Sequence, residues 1–196
     1  LPHPSAVVFL VEMDRGQMRD APGAPAIRES ARQYWRAAVL ALTLEAGLRA
    51  AGFEAKAHYD ARYDVILPPL AVAAGLGEMG RHNILVADRA GSRVRIGAVT
   101  TDAPLTRGRP RSLGVESFCR LCKKCADNCP SHALSDGDRV ERRGVMIWPT
   151  AIERCYGYWR AVGTDCGICM AVCPFSQGPL LFPRKSMRYL QMGLEQ

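Results

Sequence analysis

Cys119-Arg-Leu-Cys122-Lys-Lys-Cys125-Ala-Asp-Asn-Cys129-Pro130 is a C-x2-C-x2-C-x3-C run closed by proline. A second run, Cys166-Gly-Ile-Cys169-Met-Ala-Val-Cys173-Pro174, repeats the closing C-x2-C-x3-C-P. Its leading cysteine, Cys155, lies further upstream than in the first run. These positions use all eight cysteines of the chain. Two such runs are the pattern of a protein that holds two 4Fe–4S clusters. The two-residue gaps let three thiolates wrap one cube, while the fourth cysteine leaves on a turn toward the other cube. The spacing therefore predicts Cys119, Cys122, Cys125 and Cys173 on one cluster, and Cys129, Cys155, Cys166 and Cys169 on the other.

Two blander readings compete. Four disulfides would suit a small secreted chain, but this chain is 48% hydrophobic and has the material for a core. Structural zinc favours paired C-x2-C knuckles over three cysteines in seven residues followed by Cys-Pro. Both are weaker than the cluster reading.

Working outward, the 196 residues allow one or two domains. No run of about 18 uncharged apolar residues is present, so no transmembrane helix is predicted. The formal charge is +7. Two thiolate-ligated clusters bring roughly −2 each, which lowers the holo charge to roughly +3. The basic residues are scattered, and the group Arg107, Arg109 and Arg111 reads as a solvated loop. No nucleic-acid partner is expected. Oxygen-sensitive clusters suit a reducing cytoplasm, although the chain starts at Leu1 rather than Met and carries no information about a leader.

Residues Ala6 to Met13 read as a buried strand and Asp14 to Pro25 as a loop. Glu29 to Ala51 reads as a long helix. Its apolar stripe of Ala31, Trp35, Ala38, Leu42 and Ala46 should face the core. Phe53 to His58 alternates like a half-exposed strand. Pro68-Pro69 breaks a short apolar piece, and Leu70 to Ala74 should be a helix. Ile84 to Ala87 and Val94 to Thr101 read as two strands around a turn. The turn Gly75-Leu-Gly77-Glu-Met-Gly80 has G-x-G-x-x-G spacing, but a helix precedes it and strands follow, the wrong context for a dinucleotide site. Such glycines permit close approach of the backbone to a bulky flat ligand, or make a mere turn. Pro104 to Gly114 reads as a linker that divides an α+β unit (residues 1–106) from a ferredoxin-like unit (107–196). Asp136 to Gly144 reads as a charged loop. Ala151 to Ala161 should be a helix whose Tyr156, Tyr158 and Trp159 form an apolar jacket for a cluster, with Phe175 serving likewise. The segment from Leu180 to Gln196 is expected to dock back on the core.

The stretch Ala74 to Leu105 (AGLGEMGRHNILVADRAGSRVRIGAVTTDAPL), the run FCRLCKKCADNCPSHAL, and YWRAVGTDCGICMAVCPFS occur in one order. Together they resemble the cobalamin-dependent reductive dehalogenases, relatives of the epoxyqueuosine reductases. The resemblance implies an α+β fold: part of a nitroreductase-like corrinoid-binding domain, then a ferredoxin-like two-cluster domain. The triplet Gly80-Arg81-His82 and the Arg93-Val-Arg95 strand lean toward the dehalogenase branch. Only 118 residues precede Cys119, fewer than the family's corrinoid domain normally has.

By the resemblance, Gly75, Gly77, Gly80, His82, Asn83, Arg93 and Thr100 belong to a cobalamin pocket. Reductive dehalogenation of a small organohalide also needs a proton. Tyr34 is the candidate donor. Arg81 or Arg93 would favour its phenolate, and His58 or Asp60 would be a polar partner at the wall. A low-potential donor, whether ferredoxin, flavodoxin or a quinol-linked reductase, would feed the clusters. Two other readings stand beside this one: a ferredoxin-type electron carrier with no substrate chemistry, and an epoxyqueuosine reductase-like enzyme, for which no basic face with interleaved aromatics is visible.

Overall fold

A computed structural model describes residues 3–142 and 144–178, so the expectation for Leu180 to Gln196 lies outside the described residues. The first half runs β1 (Ser5–Glu12), α1 (Arg15–Met18), α2 (Ala24–Ala50), β2 (Ala55–His58), α3 (Leu67–Ala73), β3 (Gly77–Met79), β4 (Leu85–Ala87) and β5 (Val94–Thr101). The second half runs α4 (Val115–Leu121), α5 (Lys124–Asp127), β6 (Val140–Arg142), β7 (Val145–Ile147), α6 (Ile152–Val162), α7 (Ile168–Ala171) and a 3-10 turn over Pro174–Gln177.

Strand β5 lies at the centre of an antiparallel sheet ordered β1-β5-β2. Phe9 pairs with Gly97 and Ala57 with Val99. A strand paired on both edges and covered on both faces has no face for polar residues. This is why most of Val94 to Thr101 is buried and the run is nearly continuously apolar or Thr. Successive residues alternate between faces. On one side, Val99 with Ala55 and Ala57 meets Ala41 of α2. On the other, Val94 and Ile96 with Val8 and Leu10 meet Ala71 of α3 and Leu85 and Ala87 of β4.

Helix α2 buries a different face from the one its apolar periodicity predicts. Ala26, Glu29, Ser30, Gln33, Ala37, Ala41 and Glu45 are buried, while Trp35 is 68% exposed and Val39 and Leu42 also face outward. Small residues let the helix lie close to the sheet, and its polar residues bring their own partners. The Glu29 carboxylate accepts from the Asp14 backbone N–H and from Gln33 Nε2, both at 2.7 Å.

Four further expectations change. The prolines at 68 and 69 open α3 rather than break it, because a missing N–H costs nothing in the first turn. The supposed loop from Asp14 holds α1, whose N-cap is the Asp14 side chain accepting from the Gln17 N–H at 2.8 Å. Strand β4 pairs with β3, which lies inside the glycine-rich turn, and not with β5. The charged stretch after Asp136 forms the β6–β7 hairpin, with the β6 side chains exposed.

The two halves share a core. Val86 of β4 packs with Val115, Phe118, Cys119 and Trp148, and Phe175 joins them. Among the described residues no helix is long and apolar enough to cross a membrane.

Candidate functional site

All eight cysteines are free thiols. Thiols of the two runs lie close enough across the sequence to act on one another. Burial pushes Cys119 up to about 12, and the nearby charges of Cys173, Cys125 and Cys122 push the same way. Burial, then Cys173 and Cys122, raises Cys125 to about 11. Burial and the charges of Cys129 and Cys166 raise Cys155. Burial, and then the charges of Cys129 and Asp165, raise Cys166. Burial pushes Cys169 up to about 12, and it senses Cys125 of the first run ahead of Cys166 and Cys155. It keeps some surface but packs beside Met13, Met18 and Met170. Cys129 is the exception among the shifted thiols. Burial raises it, but hydrogen bonds from Ser131 and from the backbone N–H of Ala133, at 3.3 Å, outweigh burial and lower it.

Thiols crowded in apolar surroundings, with Arg81 only partly offsetting burial at Cys125, cannot all ionise by themselves. Iron deprotonates them outright and supplies the compensating charge. Among the described residues no three or more His, Cys, Asp or Glu converge on a single metal ion. Four thiols spread around a cube suit a cluster better than one tetrahedral ion. The donor set fits two 4Fe–4S clusters.

The apolar jacket differs from the predicted one. On α6, Tyr156 is 58% exposed, Trp159 is also exposed, and no residue of the helix is buried. The shielding comes from Phe118 and Trp148 and from Phe175, which meets Phe118 edge-on at 4.9 Å. The methionines near Cys169 complete it.

The residues of the Gly75 to Asn83 turn are engaged with the chain itself. Arg81 is fully buried. Its guanidinium donates to the carbonyls of Cys119 (3.0 Å), Ser135 (2.9 Å), Gly137 (2.8 Å) and Arg120 (3.3 Å), and it lies over Trp148. It thus ties the turn to the first cysteine run and lies away from Tyr34. Asn83 adopts a positive φ of 54° and donates to Trp148 O and Thr150 Oγ1. Burial lowers His82 to about 4, so it is neutral, and its Nδ1 accepts from the Ile84 N–H. The glycines make room for protein. A Cβ on Gly75 would meet Arg109 O, one on Gly77 would meet Val86 O, and one on Gly80 would lie 2.7 Å from the His82 ring. The β3–β4 hairpin also removes the strand–turn–helix that a dinucleotide site needs.

On the sheet, His58 and Thr100 are buried against each other, with Nε2 2.9 Å from Oγ1. The His58 Nδ1 accepts from the Asp64 N–H at 3.3 Å, and burial lowers its pKa. Thr100 also meets His3. Arg93 is committed to Ser176 O at 2.8 Å, to Met13 O and to Glu12. These residues position elements and are not brought to Tyr34. The cation over the Tyr34 ring is Arg95, with its guanidinium carbon 3.9 Å from the ring centroid. Sequence reading named Arg95 in its strand but gave it no role at Tyr34. Strand alternation puts it on the α2 face of the sheet, together with Gly97 and Val99, and that register is the signal that finds it. Burial raises the Tyr34 pKa and Arg95 opposes it, while Asp60, Asp165 and Tyr63 add to the rise. The phenol keeps its proton at neutral pH.

The site defines an iron–sulfur protein: a dicluster unit fused through a common core to a small antiparallel sheet and its helices. Residues 118–177 match the family described as a 4Fe-4S dicluster domain. Over 185 residues the chain is 36% identical to a tetrachloroethene reductive dehalogenase of Desulfitobacterium hafniense, covering 88% of this chain and 33% of that protein. A solved structure of a catabolic reductive dehalogenase superposes with a TM-score of 0.82 at 36% identity, over 87% of this chain and 25% of that one. An epoxyqueuosine reductase of Synechococcus sp. (strain CC9605) is more distant, 32% identical over 56% of this chain and 35% of that protein. The chain is similar to reductive dehalogenases over most of its length, and it spans about a third of the dehalogenase it matches.

Proposed function

We propose that this chain is the cluster-bearing part of a corrinoid-dependent reductive dehalogenase that acts on a small organohalide. In this reading residues 107–196 form the electron-carrying unit, and residues 1–106 form part of a nitroreductase-like corrinoid domain. The single observation that carries it is that thiols of the two runs lie near one another across the sequence, Cys173 near Cys119 and Cys125, and Cys129 near Cys155 and Cys166. Replacing carbon–halogen by carbon–hydrogen consumes an electron pair and a proton and releases halide. Cys119, Cys122, Cys125 and Cys173 would hold one cluster, and Cys129, Cys155, Cys166 and Cys169 the other. Cluster potentials reach down to about −700 mV, low enough for such chemistry. The electrons would come from a low-potential donor in a reducing compartment. Bound cobalamin would supply the strongly reducing cobalt. Tyr34 holds the proton on its phenol oxygen. Desolvation keeps it there, and Arg95 stabilises the phenolate left behind when the proton is given up.

A second reading has its own support. The candidate corrinoid residues Gly75, Gly77, Gly80, His82, Asn83, Arg93 and Thr100 are spent on contacts within the chain, so the chain is also suited to carry electrons for chemistry completed elsewhere. Metal and corrinoid analysis of protein purified without oxygen from a cobalamin-supplied host decides between them. Eight irons, on the order expected for two cubes, with one cobalt per chain support the dehalogenase reading. The same iron without cobalt leaves the electron carrier. Zinc in place of iron overturns both.

A further inference from the structure

Asp165 directly precedes Cys166, yet its carboxylate is engaged with the sheet and α2. Its Oδ2 accepts from the Ser30 hydroxyl at 2.7 Å and from Arg95 Nη2 at 2.8 Å, and Arg95 Nη2 also donates to the Ser30 oxygen. The Thr164 hydroxyl donates to Oδ1 at 3.2 Å. The pair is largely withdrawn from water, with Arg95 14% and Asp165 23% exposed. Arg95 Nε is buried without a partner, so the contacts from Nη2 fix where the guanidinium lies. It lies over the Tyr34 ring. A continuous path therefore runs from a cysteine of the second set, through Asp165 and Arg95, to the candidate proton donor.

We propose that Asp165 is a positioning residue that holds Arg95 over Tyr34, so that seating of the second cysteine set governs the surroundings of the phenol. The proposal rests on the reading of Tyr34 as proton donor for its meaning in catalysis, but not for its geometry. The charged and titratable groups that face Tyr34 are Arg95 from β5, Asp60 and Tyr63 from the stretch after β2, and Asp165. Arg95 is the one that favours the phenolate, and its influence exceeds that of Asp165. Removing Asp165 therefore has opposite consequences under the two possibilities. If Arg95 stays in place, loss of a negative charge makes the phenol ionise at lower pH. If Arg95 depends on Asp165 and swings away, the phenol ionises at higher pH.

The test uses the full holo-chain with a ring-fluorinated tyrosine at position 34, titrated by fluorine NMR, with iron content and electron paramagnetic resonance recorded on every sample. Asp165→Ala is expected to raise the midpoint by on the order of one pH unit, as is Arg95→Ala. In the Arg95→Ala background the same Asp165 change is expected to lower the midpoint, because only its own charge remains to be lost. Asp165→Glu should return the midpoint toward that of the unaltered chain. A fall or no change in Asp165→Ala with both clusters present overturns the proposal. Should Asp165→Ala lose iron, Asp165→Asn takes its place. It keeps the shape of the side chain beside Cys166 and removes the charge that holds Arg95, and a midpoint that does not rise there overturns the proposal equally. The titration needs neither substrate nor corrinoid. An inactive protein with the shift intact removes the dehalogenase reading alone, and an active one without the shift removes the positioning role alone.

Discussion

Arg81 shows how one side chain can join two stretches distant in sequence. A guanidinium presents several donors in a rigid plane, and here they satisfy carbonyls of Cys119, Arg120, Ser135 and Gly137. Arg81→Met would leave those carbonyls unpaired in a dry region and should cost about 3 kcal/mol or more, read as a lower urea midpoint of the anaerobic holo-protein. Arg81→Lys restores the charge but not the fork, and should recover only part of the loss. Cys129 is the second test at this scale. Cys129→Ser should damage the cluster assigned to Cys155, Cys166 and Cys169, and spare the one held beside it in sequence by Cys119, Cys122 and Cys125. Resonance spectra and iron counts on the reduced protein distinguish the two, and loss of the neighbouring cluster instead would refute crossed ligation. The cysteine pattern was legible because metal ligation imposes residue type and spacing together. Arg81 was visible as a residue but not in its role, since nothing local shows which backbone carbonyls, dozens of residues away, will lack partners. The role of Arg95 was missed for a related reason: its value depends on which sheet face meets α2.

Helix α2 carries the clearest lesson among the elements. Periodicity located the helix, yet a stripe of Ala31, Trp35, Ala38, Leu42 and Ala46 gave the wrong face. Periodicity measures where large apolar groups fall, whereas contact with this sheet selects small residues and polar ones that bring partners, such as Ala37, Ala41, Glu29 and Gln33. Trp35→Ser should therefore change stability by no more than about 0.5 kcal/mol. Ala41→Leu, facing Ala55, Ala57 and Val99, should cost about 1–3 kcal/mol by overpacking. Urea unfolding of the two variants side by side checks the ranking, and a larger loss in Trp35→Ser would restore the face that the periodicity implies. The strands follow the same logic. Ser5–Glu12 and Val94–Thr101 were legible as nearly continuous apolar runs because they are long; the second is mostly buried, whereas the first, expected to be buried, is mostly half-buried. Gly77–Met79 and Val140–Arg142 were hidden, because a three-residue strand of glycine or charged residues has too little pattern to stand out from a turn.

At the scale of the whole molecule, the linker from Pro104 to Gly114 divides two chemistries, but the packing shows no seam there. Val86 packs with Phe118 and Trp148. Arg81 crosses to the first cysteine run, Asn83 to Trp148 and Thr150, Ser92 and Arg93 to Ser176, and Arg95 to Asp165. These links are buried or part-buried polar contacts, which lose their partners at once if either half opens. The cysteine sets in turn draw their surroundings from both halves, since Met13 and Met18 lie with Cys169, while Val86 lies with Cys119. The chain should consequently unfold as one unit. Heating the anaerobic holo-protein and following far-ultraviolet circular dichroism and visible cluster absorption together should give coincident transitions. Residues 107–196 expressed alone should bind iron weakly and lose it quickly, because the buried face of α4 would meet water and Cys169 would lose Met13 and Met18. Two separate transitions, with the cluster absorption outlasting the loss of the sheet, would mean that the second half is self-sufficient and that the boundary read in the sequence is also a boundary of folding.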